Sequence, residues 1–209
     1  HRIFHPTDFS QDSQVAFVHA LKLALVFRAE LTIMHVDPDV SPEGFEDFPR
    51  IRPTLAQWGL LPESSSKSDV TRLGIRIRKV RALAADAKQA IIHHLTATPT
   101  DLMVLATHKH EGFARWIHHA VAEPVSREMH VTTLFVPSSV AGFVSRDTGD
   151  TSLNRLLLPI SHQPSSQPAI DAATVLVSQL SAPPITMTLI HAGAETEVGA
   201  LELPQKADW

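Results

Sequence analysis

The sequence predicts an α/β fold, a parallel sheet covered by helices on both faces. Three observations predict it. Short apolar runs rich in strand formers alternate with stretches whose apolar residues recur at helical spacing. The intervals between successive strand-like runs suit crossover helices, as parallel strands require. A whole strand–helix–strand unit occurs twice in the chain.

Taken in order, Arg2-Ile-Phe-His5 is a short apolar run that ends at Pro6, as a buried strand would. Ser10, Asp12 and Ser13 offer helix caps, and Phe17, Ala20, Leu21, Ala24 and Leu25 then recur at helical spacing through Arg28. Leu31–Val36 is a second strand, stopped by Asp37-Pro38. From there to about Asp69 the composition turns to Pro, Ser and charge, so loop is expected, with one short helix around Thr54–Leu60. Ile75–Val80 alternates apolar with basic residues, the pattern of a strand with one exposed face. Ala84–Leu95 carries Ala84, Ala87, Ile91 and Leu95 along one helical side. A strand at 101–106 follows, then a helix to about Met129, and a last strand at Val131–Val136.

Residues 138–152 are small and polar and suit a linker. Beyond them "RLLLPISHQPSSQPAIDAATVLVSQL" repeats "RIFHPTDFSQDSQVAFVHALKLALVF", with Pro159 on Pro6, Ser166 on Ser13 and Ala169 on Ala16. Ile185–His191 then mirrors the second strand, His191 falling on His35 after a three-residue insertion. The expected organisation is a domain at 1–137, a linker at 138–152 and a partial second copy at 153–209, whose remainder is expected outside this sequence.

Composition narrows the function. The 44 % apolar share and a mean hydropathy near zero fit a globular protein with a real core. The formal charge of −4 supplies no basic face to displace the counterions of nucleic acid, so no nucleic-acid partner is expected. There is no cysteine, which removes disulfides and thiolate chemistry. Apolar runs such as Leu23–Phe27 are far too short to span a bilayer, and no charged-then-apolar leader opens the sequence. A cytoplasmic protein without a membrane partner is the expectation.

The stretch "HPTDFSQDSQVAFVHALKLA", taken with "DLMVLATHKH", "AVAEPV" and "VTTLFVP", resembles the universal stress protein (UspA-like) family over residues 2–137, and again in part over 153–193. The resemblance implies a five-stranded parallel sheet of Rossmann-like, adenine nucleotide alpha hydrolase-like type, tandem domains in some members and ATP binding in some. Members that bind ATP share a loop G-x-x-G-x9-G-[S/T] after the fourth strand. There glycines bring backbone N–H groups close to phosphate, and a helix N-terminus faces it. Laid on this chain, the spaced glycines fall on Ala106 and Lys109, and the closing pair on His119 and Ala120. Every glycine of the pattern and its hydroxyl are replaced, and Pro124 is compatible only with a helix that begins near Val121 or kinks there. The residues that line the adenosine pocket in the family match Pro6, Thr7, Asp8 and Val36, with Ser161 replacing Asp8 in the second copy.

ATP or AMP is thus a possible ligand, with the phosphate half of the site degenerate. Asp8 offers acceptors to a ribose or adenine amine, or else braces the turn, as Asp commonly does. Lys109 offers a charge in an exposed loop. Thirteen histidines invite a metal reading, but neighbours such as His93-His94 and His118-His119 point about 100° apart on a helix. His108-x-His110 and His119 with Glu123 are the remaining combinations, and no metal site is expected. Neither a nucleophile elbow nor a Walker loop occurs, so no catalytic residue is assigned. The last strand, around Thr132–Val136, is an apolar edge expected to pair in a homodimer or an intrachain pseudo-dimer. The reading is a non-catalytic stress-response module. The alternatives are a slow ATP hydrolase using Asp8, Lys109 and the loop at 106–120, and a histidine-based metal-binding stress protein.

Overall fold

The computed structural model describes residues 1–38, 45–107, 122–137, 140–161, 163–180 and 185–193. The chain divides into two compact units, His1–Asp150 and Thr151–Trp209.

The first unit is built on a five-stranded parallel sheet in the order β3-β2-β1-β4-β5. Its strands are β1 (Arg2–Pro6), β2 (Glu30–Asp37), β3 (Arg76–Leu83), β4 (Leu102–Thr107) and β5 (Thr132–Pro137). Helix α1 (Gln11–Phe27) packs on one face, where Phe17 meets the ring of His5. Helices α4 (Ala87–Ala97) and α5 (Ala122–Met129) cover the other, closing a core of Phe4, Met34, Ile91, Leu95, Met103, Leu105 and Val125. Strands buried from both sides read as continuous apolar runs, which is why β1, β2 and β4 were legible.

Ser10 opens α1, its side chain accepting the Ser13 N–H, and the helix ends at Arg28 in the left-handed conformation. Its sequence is apolar nearly all round, and Ser13 and the run from Val15 to Leu21 are all buried. Such a helix needs cover on its outer side too. Residues 140–150, within the stretch that composition suits to a linker, provide it: Phe143 lies edge-on to His19 of α1, and Val144 is buried.

The segment after β2 holds more structure than the sequence suggests. Helix α2 spans Ile51–Gln57, earlier than the Thr54–Leu60 expected, and α3 spans Lys67–Arg72. The latter is only six residues long, fixed by a capping box of Ser66 and Asp69 and by burial of Val70. The next helix likewise starts at Ala87 rather than Ala84, because Asp86 caps it through the Gln89 N–H. Pro124 falls in the first turn of α5 as described, where a missing N–H costs least.

The second unit holds β6 (Arg155–Pro159), α6 (Gln167–Leu180) and β7 (Thr186–Ile190), the two strands pairing in parallel. Helix α6 buries Ile170, Ala173, Val177 and Leu180, three or four residues apart. Leu157 and Ile190 stay more than half exposed.

Candidate functional site

Ligands of open parallel sheets bind outside the carboxyl ends of the strands. At the ends of β1 and β2 lies a cavity of about 240 Å³ bounded by Pro6, Thr7, Asp8, Met34, His35, Val36, Pro38, Ala87 and Ile91. Its wall is mostly apolar, with Thr7, Asp8 and His35 as the polar members. The structure therefore brings together Pro6, Thr7, Asp8 and Val36, which the family resemblance places in one pocket. Ala106, next to last in β4, is buried. Lys109, His119 and Ala120 lie outside the described residues, as do His108, His110 and His118.

The turn from β1 into α1 builds the polar rim. The Thr7 N–H donates to the Met34 carbonyl (2.9 Å), extending the ladder past Pro6. The Thr7 hydroxyl meets Ser13 Oγ at 2.7 Å and accepts the Phe9 N–H at 3.1 Å. Asp8 Oδ1 accepts both the N–H and the hydroxyl of Ser10, at 3.0 and 2.6 Å. Asp8 thus braces the turn before the helix, the structural role its residue type suggests. Phe9 adopts a left-handed φ of 64°, unusual for an aromatic residue, and this carries its ring onto His35 with centroids 3.9 Å apart.

Backbone alternation places Val36 as well. Met34 turns its carbonyl toward β1, so Val36, two residues on, directs its N–H and C=O to the same side. The β1 register with β2 ends at Pro6↔Met34, so these groups face the region past the end of β1.

Sequence reasoning did not find the charged group behind the pocket. His35 Nδ1 lies 2.7 Å from the Thr7 carbonyl and Nε2 lies 3.1 Å from Asp37 Oδ1. Both partners can only accept, so whichever ring nitrogen carries a proton has a partner there. Asp37 also accepts from Arg81 Nε, and this bond, with His35 beside it, holds its carboxyl below the usual carboxylate range. The strand register predicts this convergence once it is known, since His35 pairs with Arg81. Under the sheet, on the α1 side, His5 is fully buried with Nδ1 donating to the Val104 carbonyl at 2.9 Å, and burial lowers its pKa to about 4. Among the described residues, no three His, Asp or Glu side chains converge as a metal would require.

A family model described as the Universal stress protein family matches residues 1–137. Among solved structures, a universal stress protein in complex with cAMP is 19 % identical with a TM-score of 0.42, over 65 % of this chain and 95 % of that one. The universal stress protein UspA from Lactobacillus plantarum is 20 % identical, with a TM-score of 0.41, over 65 % of this chain and 96 % of its own. A member of the same family from Burkholderia pseudomallei is also 20 % identical, with a TM-score of 0.40, over 65 % of this chain and 95 % of that one. None of the curated proteins matches the chain significantly.

Proposed function

Because the chain belongs to the universal stress protein family, we propose that its first unit is a non-catalytic stress-response module that holds the adenosine part of a nucleotide, or a molecule like it, and grips phosphates weakly or not at all. The observation that carries this reading is the single cavity formed by Pro6, Thr7, Asp8 and Val36. At about 240 Å³ it lies below the roughly 300–1,000 Å³ of pockets that hold whole drug-sized ligands, which suits a nucleobase-sized group. Main-chain groups of Val36 offer one donor and one acceptor to such a group. The phosphate side has lost every glycine of the family loop, with Ala106, Lys109, His119 and Ala120 in the key positions.

How the pocket side chains are used supports a non-catalytic reading. The Thr7 hydroxyl and the Asp8 carboxylate are engaged in the helix-capping turn, and both nitrogens of His35 are bonded.

The second unit, in this reading, is a partial copy of the first. Its strands pair in the repeat's own register: Arg155↔Thr186 and Pro159↔Ile190 correspond to Arg2↔Glu30 and Pro6↔Met34. His191 Nδ1 also meets the Ile160 carbonyl at 3.0 Å, as His35 meets that of Thr7. The edge strand β5, with Phe135 exposed, is the proposed seam of a homodimer or pseudo-dimer. No helix among the described residues is long and apolar enough to cross a membrane, and a cytoplasmic location is proposed.

Thermal unfolding with Mg-ATP, AMP or adenosine at millimolar concentration tests the proposal. A ligand at 100 times its dissociation constant adds about 2.7 kcal/mol to stability, a shift of several degrees. Shifts with adenosine and AMP that ATP does not exceed are expected. A larger shift with ATP would mean that phosphates are held after all, and no shift with any of them would leave the module to protein partners.

A further inference from the structure

Helix α1 carries a histidine that the pocket does not use. His19 is fully buried in the middle of the helix, and its two ring nitrogens have opposite roles. Nδ1 lies 2.7 Å from the Val15 carbonyl, which can only accept, so the proton sits there. Nε2 then presents a lone pair, and it receives two consecutive backbone donors: the N–H of Phe143 at 2.9 Å and of Val144 at 3.1 Å. The Phe143 ring stands edge-on to the imidazole, centroids 4.6 Å apart. Gly142 has a φ of 72° and lies so close that a Cβ there would fall 2.3 Å from the imidazole. The far end of the segment is held differently: Trp58 Nε1 donates to the Arg146 carbonyl at 3.0 Å, and Gly149 lies against the indole.

We propose that residues 140–150 form an acid-released strap, held on α1 by the neutral ring of His19 and freed at that end when the ring takes a proton. A protonated ring has no lone pair on Nε2 and would aim an N–H at two N–H groups. One proton therefore removes two hydrogen bonds and replaces them with repulsion in a buried site. The Trp58 anchor contains no titrating group and stays in place, so release starts at the end nearest β5.

The elements against the ring are α1, the strap and β5, whose Val136 lies beside Gly142. Among the described residues, its hydrogen-bond and ring partners, Val15, Phe143 and Val144, are all uncharged. On its own helix Lys22 is one turn away. Along the strap the charged residues are Arg146 and Asp147, the latter bonded by Gln57, and Asp150, bonded by Thr148. Burial lowers the His19 pKa from 6.5, opposed in part by the Val15 carbonyl. The closed strap thus resists a proton that the open strap accepts at the ordinary value. The strap is fully secured above that value and loosens as the pH falls below it, by about tenfold in its opening equilibrium per pH unit until the lowered value is reached.

Amide hydrogen exchange on the full chain, corrected for intrinsic rates, reads this directly. Protection of Phe143 and Val144 should be flat above pH 6.5 and fall about tenfold per unit from there to about pH 5, while the Phe4 amide in β1, which follows global stability, stays the better protected throughout. Flat protection at Phe143 and Val144 below pH 6.5, or protection no lower than that of Phe4, as exchange through global unfolding alone would give, would overturn the proposal. In His19→Gln, which offers an acceptor but does not titrate, the pH dependence should vanish; the same slope in that variant would also overturn it. Gly142→Ala, with His19 intact, should leave the two amides poorly protected at every pH. Protection equal to that of the native chain would show that the close approach to the ring is not what holds the strap.

Discussion

His5 shows how one residue ties stability to pH. Buried without a charged neighbour strong enough to offset desolvation, it takes a proton only near pH 4, against 6.5 in the unfolded chain. Its contribution is therefore fully present above 6.5 and is lost as the pH falls toward 4. The difference is worth on the order of 3 kcal/mol. Urea midpoints of the native chain should drop steeply across this window, and His5→Leu should flatten that part of the slope even if its midpoint at neutral pH is lower. Asp37 acts in the same direction further down. Its carboxyl is held below the ordinary value by Arg81, so its contribution is present above 3.8 and lost as the pH falls below. Asp37→Asn should cost about 1–3 kcal/mol at neutral pH, read by denaturant unfolding, because it leaves Arg81 and His35 short of an acceptor. Asp8 was recognisable as a turn-bracing or ligand-contacting residue, and the structure gives it the first of these roles while keeping it at the cavity wall. The link of His35 to Asp37 and Arg81 was not recognisable, since Arg81 is 44 residues from Asp37 in sequence and only strand register brings them together.

At the scale of elements, the strands and α1 follow from local pattern, and their limits follow from caps. Ser10 and Asp86 each close a first turn through a side-chain acceptor, and Ser10→Ala should lower the unfolding midpoint by an amount equal to about 1 kcal/mol. Helix α3 escaped the sequence pattern because a six-residue segment has too few turns to show periodicity; the capping box and Val70 hold it. The strap escaped for a different reason. Its small, polar composition is that of a linker, yet two of its glycines allow backbone to lie against aromatic rings. At Gly149 a Cβ would fall 2.4 Å from Trp58, and the φ of 70° disfavours any side chain. Gly149→Ala should therefore cost about 1–3 kcal/mol in denaturant unfolding, with Trp58 fluorescence shifted toward that of an exposed indole.

On the scale of the whole molecule, the boundary of the first unit matters most. It extends to Asp150, beyond the last strand at Pro137. A fragment of residues 1–150 should unfold cooperatively on its own. A fragment of residues 1–137 should melt several degrees lower, because His19 and Trp58 would lose their cover; equal melting temperatures would show that the strap adds nothing to stability. The sequence by itself determined the parallel α/β class and the order of its main elements, and its resemblance to the family singled out the four residues that share a pocket wall. Class and element order rest on patterns within one element, which a linear reading can detect; the pocket residues rest on the resemblance alone. Tertiary structure alone decided that His35, Asp37 and Arg81 meet, and that a linker-like segment closes over α1. Those contacts join residues as far apart as His19 and Val144, 125 positions distant. Hydrogen-bond geometry and close packing select such pairs only after the sheet has set where each element lies.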